Sequence, residues 1–200
     1  QHLWDALREA GKFHGITPYG TEALHIMRAE KGFIMIGDET DGVITPQDLG
    51  LHWAVSKKKT DFIGKRAQER SHLVDPERER LVGLATEDPK KVLPDGAYAV
   101  ADVGAATPDI IGRVTSTYFS PTLDRSIAMG LIRRGPERMG EVISFPVGGG
   151  DVTVSWTVTN RGAGATDDHV VAIAAHDGVA ALAAIERVVA GAAIEHLVAG

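Results

Sequence analysis

The feature that most constrains the fold is a change of hydrophobic period near residue 80. Beyond that point, short apolar runs alternate with polar residues at a period of about two, which predicts strands with one buried face. Glycine and proline residues separate the runs where turns are needed. The predicted strands are residues 81–85, 97–100, 110–117, 127–132, 142–147 and 152–158. Short strands at this spacing predict a small antiparallel barrel or sandwich.

Residues 21–31 have the pattern of an amphipathic helix. Thr21 is a suitable N-cap, and Glu22 places a carboxylate in the first turn, where the helix dipole favours it. Apolar residues recur at helical spacing on one side. Gly32 then supplies the left-handed residue that ends a helix.

The segment after this helix is predicted to form a strand, a turn and a second helix start. Residues 33–36 are apolar and few, as in a buried strand, and residues 37–42 form an acidic turn. Thr45 is a second N-cap, with Pro46 at N1 and Asp48 near N3. The other predicted elements before residue 80 are a helix over residues 3–10, a strand over residues 53–55 and a helix from Gly64 to about Arg70.

Composition excludes several classes of protein. With 44% hydrophobic and 24% charged residues, the 200-residue chain can bury a core, and no apolar run reaches the ~18–20 residues of a membrane span. The net charge of −6 argues against a nucleic-acid partner. The lack of cysteine excludes disulfides and fits a reducing, cytoplasmic compartment. Because the chain does not begin with Met, we expect it to be a piece of a longer polypeptide.

These patterns predict an α+β protein in three parts. Residues 1–75 form a mixed helical and strand subdomain, and residues 79–160 form the antiparallel β-barrel. Residues 161–200 are an alanine-rich tail that we expect to be helical, with Asp177 as a possible cap.

Three long runs carry a family resemblance. They are PYGTEALHIMRAEKGFIMIGDETDGVITPQDLGL, KKKTDFIGKRAQER and IGRVTSTYFSPTLDRSIAMGLI, all within residues 2–147. The runs resemble the glycine cleavage T-protein (aminomethyltransferase) family. Within it, they are similar to the C-terminal region of the α subunit of heterotetrameric sarcosine oxidase. The resemblance implies the barrel that closes the T-protein fold, in agreement with the strand pattern.

The resemblance also implies a function. Such an oxidase demethylates sarcosine and passes the one-carbon unit to tetrahydrofolate, giving 5,10-methylenetetrahydrofolate. FMN, FAD and NAD are expected elsewhere in the full assembly, and the implied partners are the other oxidase subunits or the missing N-terminal part. The family's catalytic aspartate lies in that N-terminal part, so no catalytic residue is assigned here and no metal ligand is expected.

The resemblance implies three folate-binding candidates in this chain. The family's helix carries two arginines four residues apart; here the first position is Leu24 and the second is Arg28. Leucine cannot make the charge-assisted contact of an arginine. Phe33 occupies the family's aromatic or apolar position, and Tyr118 lies in a run that resembles a family motif. The candidates are therefore Arg28, Phe33 and Tyr118.

Each candidate also has a structural interpretation. Arg28 and Glu30 are expected to form a structural ion pair or to be helix-surface charges, and Phe33 is expected in the core. His25 is expected to be a surface or packed histidine. The acidic turn at residues 37–42 lacks the spacing of a calcium loop and is expected to be solvated. The hydroxyl-rich run around Tyr118 is expected to line the contact between barrel and first subdomain.

Two other functions stay open. One is an aminomethyltransferase or a dimethylglycine-type enzyme that shares the fold and uses another amine. The other is a non-catalytic scaffold that only packs against partner subunits, an interpretation that Leu24 and the divergent tail favour.

Overall fold

The computed structural model describes residues 1–86, 88–147 and 152–159. Of these, residues 1–23 belong to one compact unit and residues 24–159 to another. The predicted tail lies outside the described residues. Within the described ranges, no helix is both long and apolar enough to cross a membrane.

The six barrel strands and three of the predicted helices occur in the predicted order. The helices are α1 (His2–Gly11), α2 (Thr21–Glu30) and α3 (Lys65–Gln68), and short 3-10 turns occupy Lys12–His14, His52–Ala54 and Gly135–Arg138. The strands are β1 (Glu79–Thr86), β2 (Tyr98–Val100), β3 (Ile110–Ser120), β4 (Arg125–Arg133), β5 (Val142–Val147) and β6 (Val152–Thr159).

The strands close into a barrel, as the alternating sequence predicted. Their order around the barrel is β1-β4-β3-β2-β5-β6, and every neighbouring pair is antiparallel. The pairing of β1 with β6, from Gly83 opposite Thr159 to Thr86 opposite Trp156, completes the closure. Closure leaves the sheet without a free edge.

The barrel interior holds the main hydrophobic core. Alternate residues from all the strands point inward, and Phe145 and Trp156 are fully buried there. The inward residues include Val82, Leu84, Ala99, Ile111, Val114, Ile132, Ile143, Phe145, Val154, Trp156 and Val158. Burial of side chains this large supplies most of the barrel's hydrophobic stabilisation.

A second core lies on the outer wall of β1 and β4. Leu81, Met129 and Leu131 face away from the interior and pack with Ala29 of α2 and Leu49 of the following segment. All residues of β4 between its two terminal arginines are therefore buried, on both faces of the strand. The outer wall thus holds Ala29 of α2 and residues 34–51 against the barrel.

The structure corrects the predicted strand at residues 33–36. Only an isolated bridge joins Ile36 to Thr40, and Phe33 and Ile36 are 66% and 84% exposed. A strand needs a neighbour to receive its backbone hydrogen bonds, and none lies alongside this segment in the described ranges. The Met35 N–H donates instead to the Glu39 carboxylate.

Three smaller predictions before residue 80 also differ from the structure. The predicted second helix does not form: residues 46–50 make only a turn, in which Leu49 N–H donates to the Thr45 carbonyl and Leu51 N–H to the Pro46 carbonyl. Residues 53–55 do not form a strand, because Ala54 N–H donates to Leu51 C=O and Val55 N–H to His52 C=O in a 3-10 turn. Trp53 is exposed there. The predicted helix after Gly64 forms but ends at Gln68.

Candidate functional site

Arg28 projects from α2 into a buried polar cluster and is only 7% exposed. Its Nη1 donates to Glu39 Oε2 at 2.8 Å and to the Phe33 carbonyl at 3.3 Å. Its Nη2 donates to Asp38 Oδ2 at 3.0 Å. The acidic turn therefore supplies two carboxylates that neutralise one buried guanidinium.

The barrel supplies the other side of the cluster. Arg28 Nη2 donates to Ser116 Oγ at 2.7 Å and to the Tyr118 hydroxyl at 3.3 Å. The guanidinium carbon also lies 5.7 Å from the centroid of the Tyr118 ring, within the range of a cation–π contact. The run around Tyr118 therefore lines the contact between the barrel and residues 28–39, as expected.

Glu39 is fully buried and has donors on both oxygens. Oε2 accepts from Arg28 and from the Met35 N–H at 2.7 Å. Oε1 accepts from Thr115 Oγ1 at 3.0 Å and from Ser116 Oγ in a short hydrogen bond. A buried carboxylate is tolerated when it is paired with a cation and its lone pairs are used.

A β-bulge in β3 explains how two adjacent hydroxyls reach one carboxylate oxygen. Val114 pairs with Gly130 and Ser116 pairs with Met129, so Thr115 is an extra residue in the ladder. Side chains of consecutive strand residues normally point to opposite faces. The bulge lets Thr115 and Ser116 both face Glu39 while Val114 stays in the barrel interior. We call Arg28, Asp38, Glu39, Thr115, Ser116 and Tyr118 the Arg28 cluster.

The sequence candidates are distributed unevenly around this cluster. Arg28 and Tyr118 are brought together, although 90 residues separate them in the chain. Phe33 contributes only its carbonyl oxygen, and its side chain is exposed, so the expectation that it belongs to the core is wrong. The Leu24 side chain is also exposed.

Arg28 forms the expected structural ion pair, but with Asp38 and Glu39 and not with Glu30. Glu30 accepts a hydrogen bond from Ser120 Oγ at the far end of β3. Helical residues two apart point in different directions, so the two side chains reach different parts of the strand. His25 is partly buried and packs beside Tyr118, with ring centroids 6.4 Å apart.

The expectation of a solvated acidic turn holds for one carboxylate and fails for another. Asp41 is exposed, and its Oδ1 accepts the N–H groups of Val43 and Ile44. Glu39 is buried in the Arg28 cluster. The sequence gives no local sign of this difference, because the cation that draws Glu39 inward is 11 residues away.

A second buried carboxylate lies at the predicted helix start. Asp48 Oδ2 accepts from Thr45 N–H and from Thr45 Oγ1, both at 2.8 Å, and Asp48 N–H donates to Thr45 Oγ1 at 3.3 Å, as in a capping box. Arg78 completes the site: its Nε donates to Asp48 Oδ1 at 2.9 Å and its Nη2 to Asp48 Oδ2 at 2.5 Å. Sequence reasoning missed Arg78, which follows 30 residues later in a polar stretch without periodicity.

The Asp48–Arg78 pair should make stability sensitive to acid. Burial alone would raise the pKa of Asp48, but the hydrogen bonds from Arg78 and Thr45 outweigh it and hold the pKa below its usual value. A lowered folded-state pKa adds stability that is fully present above the unfolded value of about 3.9 and is lost as the pH falls through the folded value. Melting temperatures measured from pH 2 to 7 should therefore fall less steeply below about pH 4 for Asp48→Asn than for the unchanged chain. Parallel curves would contradict this assignment.

Comparison with known proteins identifies two family matches. Residues 1–59 match the profile described as the GCVT N-terminal domain. Residues 79–163 match the glycine cleavage T-protein C-terminal barrel domain. The second match coincides with the strands of the closed barrel.

Individual relatives fall into two groups. The chain is 46% identical to the sarcosine oxidase subunit alpha of Corynebacterium sp. (strain P-1) over 158 residues, which cover 76% of this chain and 16% of that protein. For the subunit alpha of Rhizobium meliloti (strain 1021), the identity is 44% over 72% of this chain and 14% of that protein. The aminomethyltransferase of Halothermothrix orenii is 37% identical, with 72% of this chain and 39% of that protein covered. The chain thus spans about a sixth of the oxidase subunits that it matches.

A solved structure agrees with both groups. The glycine cleavage system aminomethyltransferase T from Bartonella henselae aligns with a TM-score of 0.60 and 28% identity, over 70% of this chain and 38% of that one. Taken with the two profile matches, this likeness shows that the chain belongs to the glycine cleavage T-protein family.

Proposed function

We propose that this chain is part of a larger sarcosine oxidase, in which it helps to bind the tetrahydrofolate that accepts the one-carbon unit. The supporting observation is that identity to sarcosine oxidase α subunits, 44–46%, exceeds the 34–37% identity to aminomethyltransferases. Sarcosine would be demethylated oxidatively, and FMN, FAD and NAD would be held by other parts of the assembly. An aminomethyltransferase or a dimethylglycine-type enzyme is the less supported alternative.

The chemistry asks this region mainly to position reactants. Bound tetrahydrofolate supplies the nucleophilic amine that captures the one-carbon unit, and holding it near the imine lowers the barrier through proximity. We propose that residues 1–75 contribute to the folate-binding part and that residues 79–160 form its supporting barrel. The region needs no catalytic side chain of its own for this role.

Some residues in and around the Arg28 cluster are suited to binding folate, and others are not. Phe33 offers an exposed aromatic face to a pteridine ring, which is the kind of surface that flat heterocycles stack on. Leu24 offers apolar contact but no charge, so a carboxylate of folate gains no ion pair there. Arg28 donates both to the Phe33 carbonyl and to the Tyr118 hydroxyl, and we assign these residues to the same region.

Calorimetric titration of the 200-residue chain with 5-formyltetrahydrofolate tests the proposal. We expect micromolar binding, and Phe33→Ala should raise Kd about tenfold because an aromatic stacking contact is lost. Trp53→Ala is a matched control, since Trp53 is an equally exposed aromatic of the same unit that we do not place at the folate site. Its Kd should stay within about twofold of the unchanged chain.

Absence of heat from a folded sample would favour the second candidate, a packing scaffold. Apolar side chains around α2 support this alternative, because Leu24 is 41%, Met27 42% and Ile36 84% exposed. Exposed apolar groups of this kind are typical of a surface that another protein covers. The scaffold then predicts concentration-dependent association by light scattering that Met27→Glu weakens.

A further inference from the structure

We propose that Glu39, acting with Arg28, is a positioning residue for folate: it fixes the backbone that presents Phe33. This inference rests on the proposed function, since it assigns Phe33 to the ligand. Glu39 itself is fully buried, so it reaches the ligand only through the residues that it holds.

The side chains of Arg28 and Glu39 form hydrogen bonds to the backbone of residues 33–35. Arg28 Nη1 donates to the Phe33 carbonyl at 3.3 Å, and Glu39 Oε2 accepts the Met35 N–H at 2.7 Å. The Phe33 N–H also donates to the Arg28 carbonyl at 2.8 Å. The Phe33 side chain is exposed, so core packing does not set its position. The hydrogen bonds to the backbone of this segment determine where the side chain is presented.

The barrel fixes the position of these two charged groups. Thr115 and Ser116 donate to Oε1 of Glu39, and Ser116 also accepts from Arg28. Both hydroxyls belong to residues of β3, a strand of the barrel, where the backbone is more rigid than in a loop. The hydrogen bonds from β3 therefore fix the positions of Arg28 and Glu39. These two residues in turn fix the backbone that carries the exposed Phe33 side chain.

The composition of the pair fits positioning better than stability. A buried ion pair is often no more stabilising than apolar residues of the same volume, because desolvation offsets the attraction. The buried Nε of Arg28 makes no hydrogen bond among the described residues, which adds to that cost. Unlike an apolar contact, each hydrogen bond of the pair is directional and constrains one backbone atom of the segment.

Glu39→Gln tests the proposal, with Asp48→Asn as the matched control. The glutamine has one acceptor oxygen in place of two, so it cannot serve Met35, Arg28 and both hydroxyls at once. Asp48 is likewise a buried carboxylate paired with an arginine, but its carboxylate is hydrogen-bonded to Thr45 and Arg78 and so does not hold the Phe33 segment. In the 200-residue chain, Glu39→Gln should raise Kd for 5-formyltetrahydrofolate about tenfold and speed exchange of the Met35 amide at least as much. Asp48→Asn should lower the melting temperature and change neither.

A double variant separates positioning from general weakening. If Glu39 acts through Phe33, the pair Phe33→Ala and Glu39→Gln should bind no more weakly than Phe33→Ala alone. Additive losses, or an equal rise in Kd for Asp48→Asn, would overturn the proposal. If Glu39→Gln does not fold, Thr115→Val removes one donor to Glu39 without changing shape and should give the same effects, reduced in size.

The amide measurement keeps this proposal distinct from the proposed function. If the unchanged chain shows no folate binding, the folate role fails, and Met35 exchange still reports on the positioning. Unaltered Met35 exchange in Glu39→Gln would then overturn the positioning as well. Faster exchange in that variant, with Asp48→Asn unchanged, would support it.

Discussion

Replacing Arg28 with methionine should lower the free energy of unfolding by about 3–5 kcal/mol, the largest effect we expect from a single side chain in the cluster. Methionine keeps the apolar stem but leaves Glu39 buried without its cation. The remaining donors, Met35 N–H and two hydroxyls, cannot neutralise the carboxylate. Urea denaturation followed by far-ultraviolet circular dichroism and by the fluorescence of buried Trp156 measures the loss.

The double variant Arg28→Met with Glu39→Gln supplies the control. Removing both charges leaves no unpaired ion in the interior, so the double variant should be more stable than Arg28→Met alone. A single variant within about 1 kcal/mol of the unchanged chain would contradict the expectation, because it would mean that Glu39 does not depend on Arg28.

Replacing Gly112 with alanine should destabilise the barrel by about 3 kcal/mol or more, since the added methyl group has no space. A Cβ at this position would overlap the carbonyl oxygen of Leu131 and lie 2.7 Å from Ile132 Cδ1 and 2.9 Å from Ile132 Cα. Two of these three atoms are backbone, and β4 is hydrogen-bonded on both sides, so neither strand can retreat alone. Differential scanning calorimetry gives the change in melting temperature.

Gly42→Ala is the matched control for Gly112→Ala. A Cβ on Gly42 meets no atom within 4 Å, and its backbone lies outside the left-handed region. Its melting temperature should therefore stay near that of the unchanged chain. Equal decreases in the two variants would contradict the overlap with β4, because losing glycine flexibility reduces the entropy of the unfolded chain and by itself stabilises the fold.

The barrel was predictable from the sequence because each strand shows the same local pattern of alternating apolar and polar residues. A strand with one face in the core must alternate, and the alternation is visible without knowledge of its neighbours. The bounds of β5, residues 142–147, agree with the prediction residue for residue. The 21–31 helix was predictable for similar reasons, because its cap and stop lie within a few residues of it.

The site was less predictable, because its contacts join distant residues. Arg28 and Ser116 are 88 residues apart, and nothing near either residue indicates the other. The apolar run at residues 33–36 reads like a buried strand, yet Phe33 and Ile36 are exposed because no strand lies beside them in the described ranges. An exposed apolar residue on a binding surface has the same sequence pattern as an apolar residue that is buried in the core.

The extra residue in β3 places an additional side chain on the outer wall of the barrel. Along a strand, odd and even positions meet opposite environments. Val114 faces the interior and Tyr118 the outer wall, although both are even positions, because Thr115 is an additional residue between them. Loss of Thr115 would remove the bulge, but it would leave Ser116 and Tyr118 on the outer wall, because Ser116 would then follow Val114 in the ordinary alternation. What would be lost is one of the two hydroxyls that face Glu39. The bulge therefore adds a polar contact on the outer wall without changing which of the other side chains face the interior.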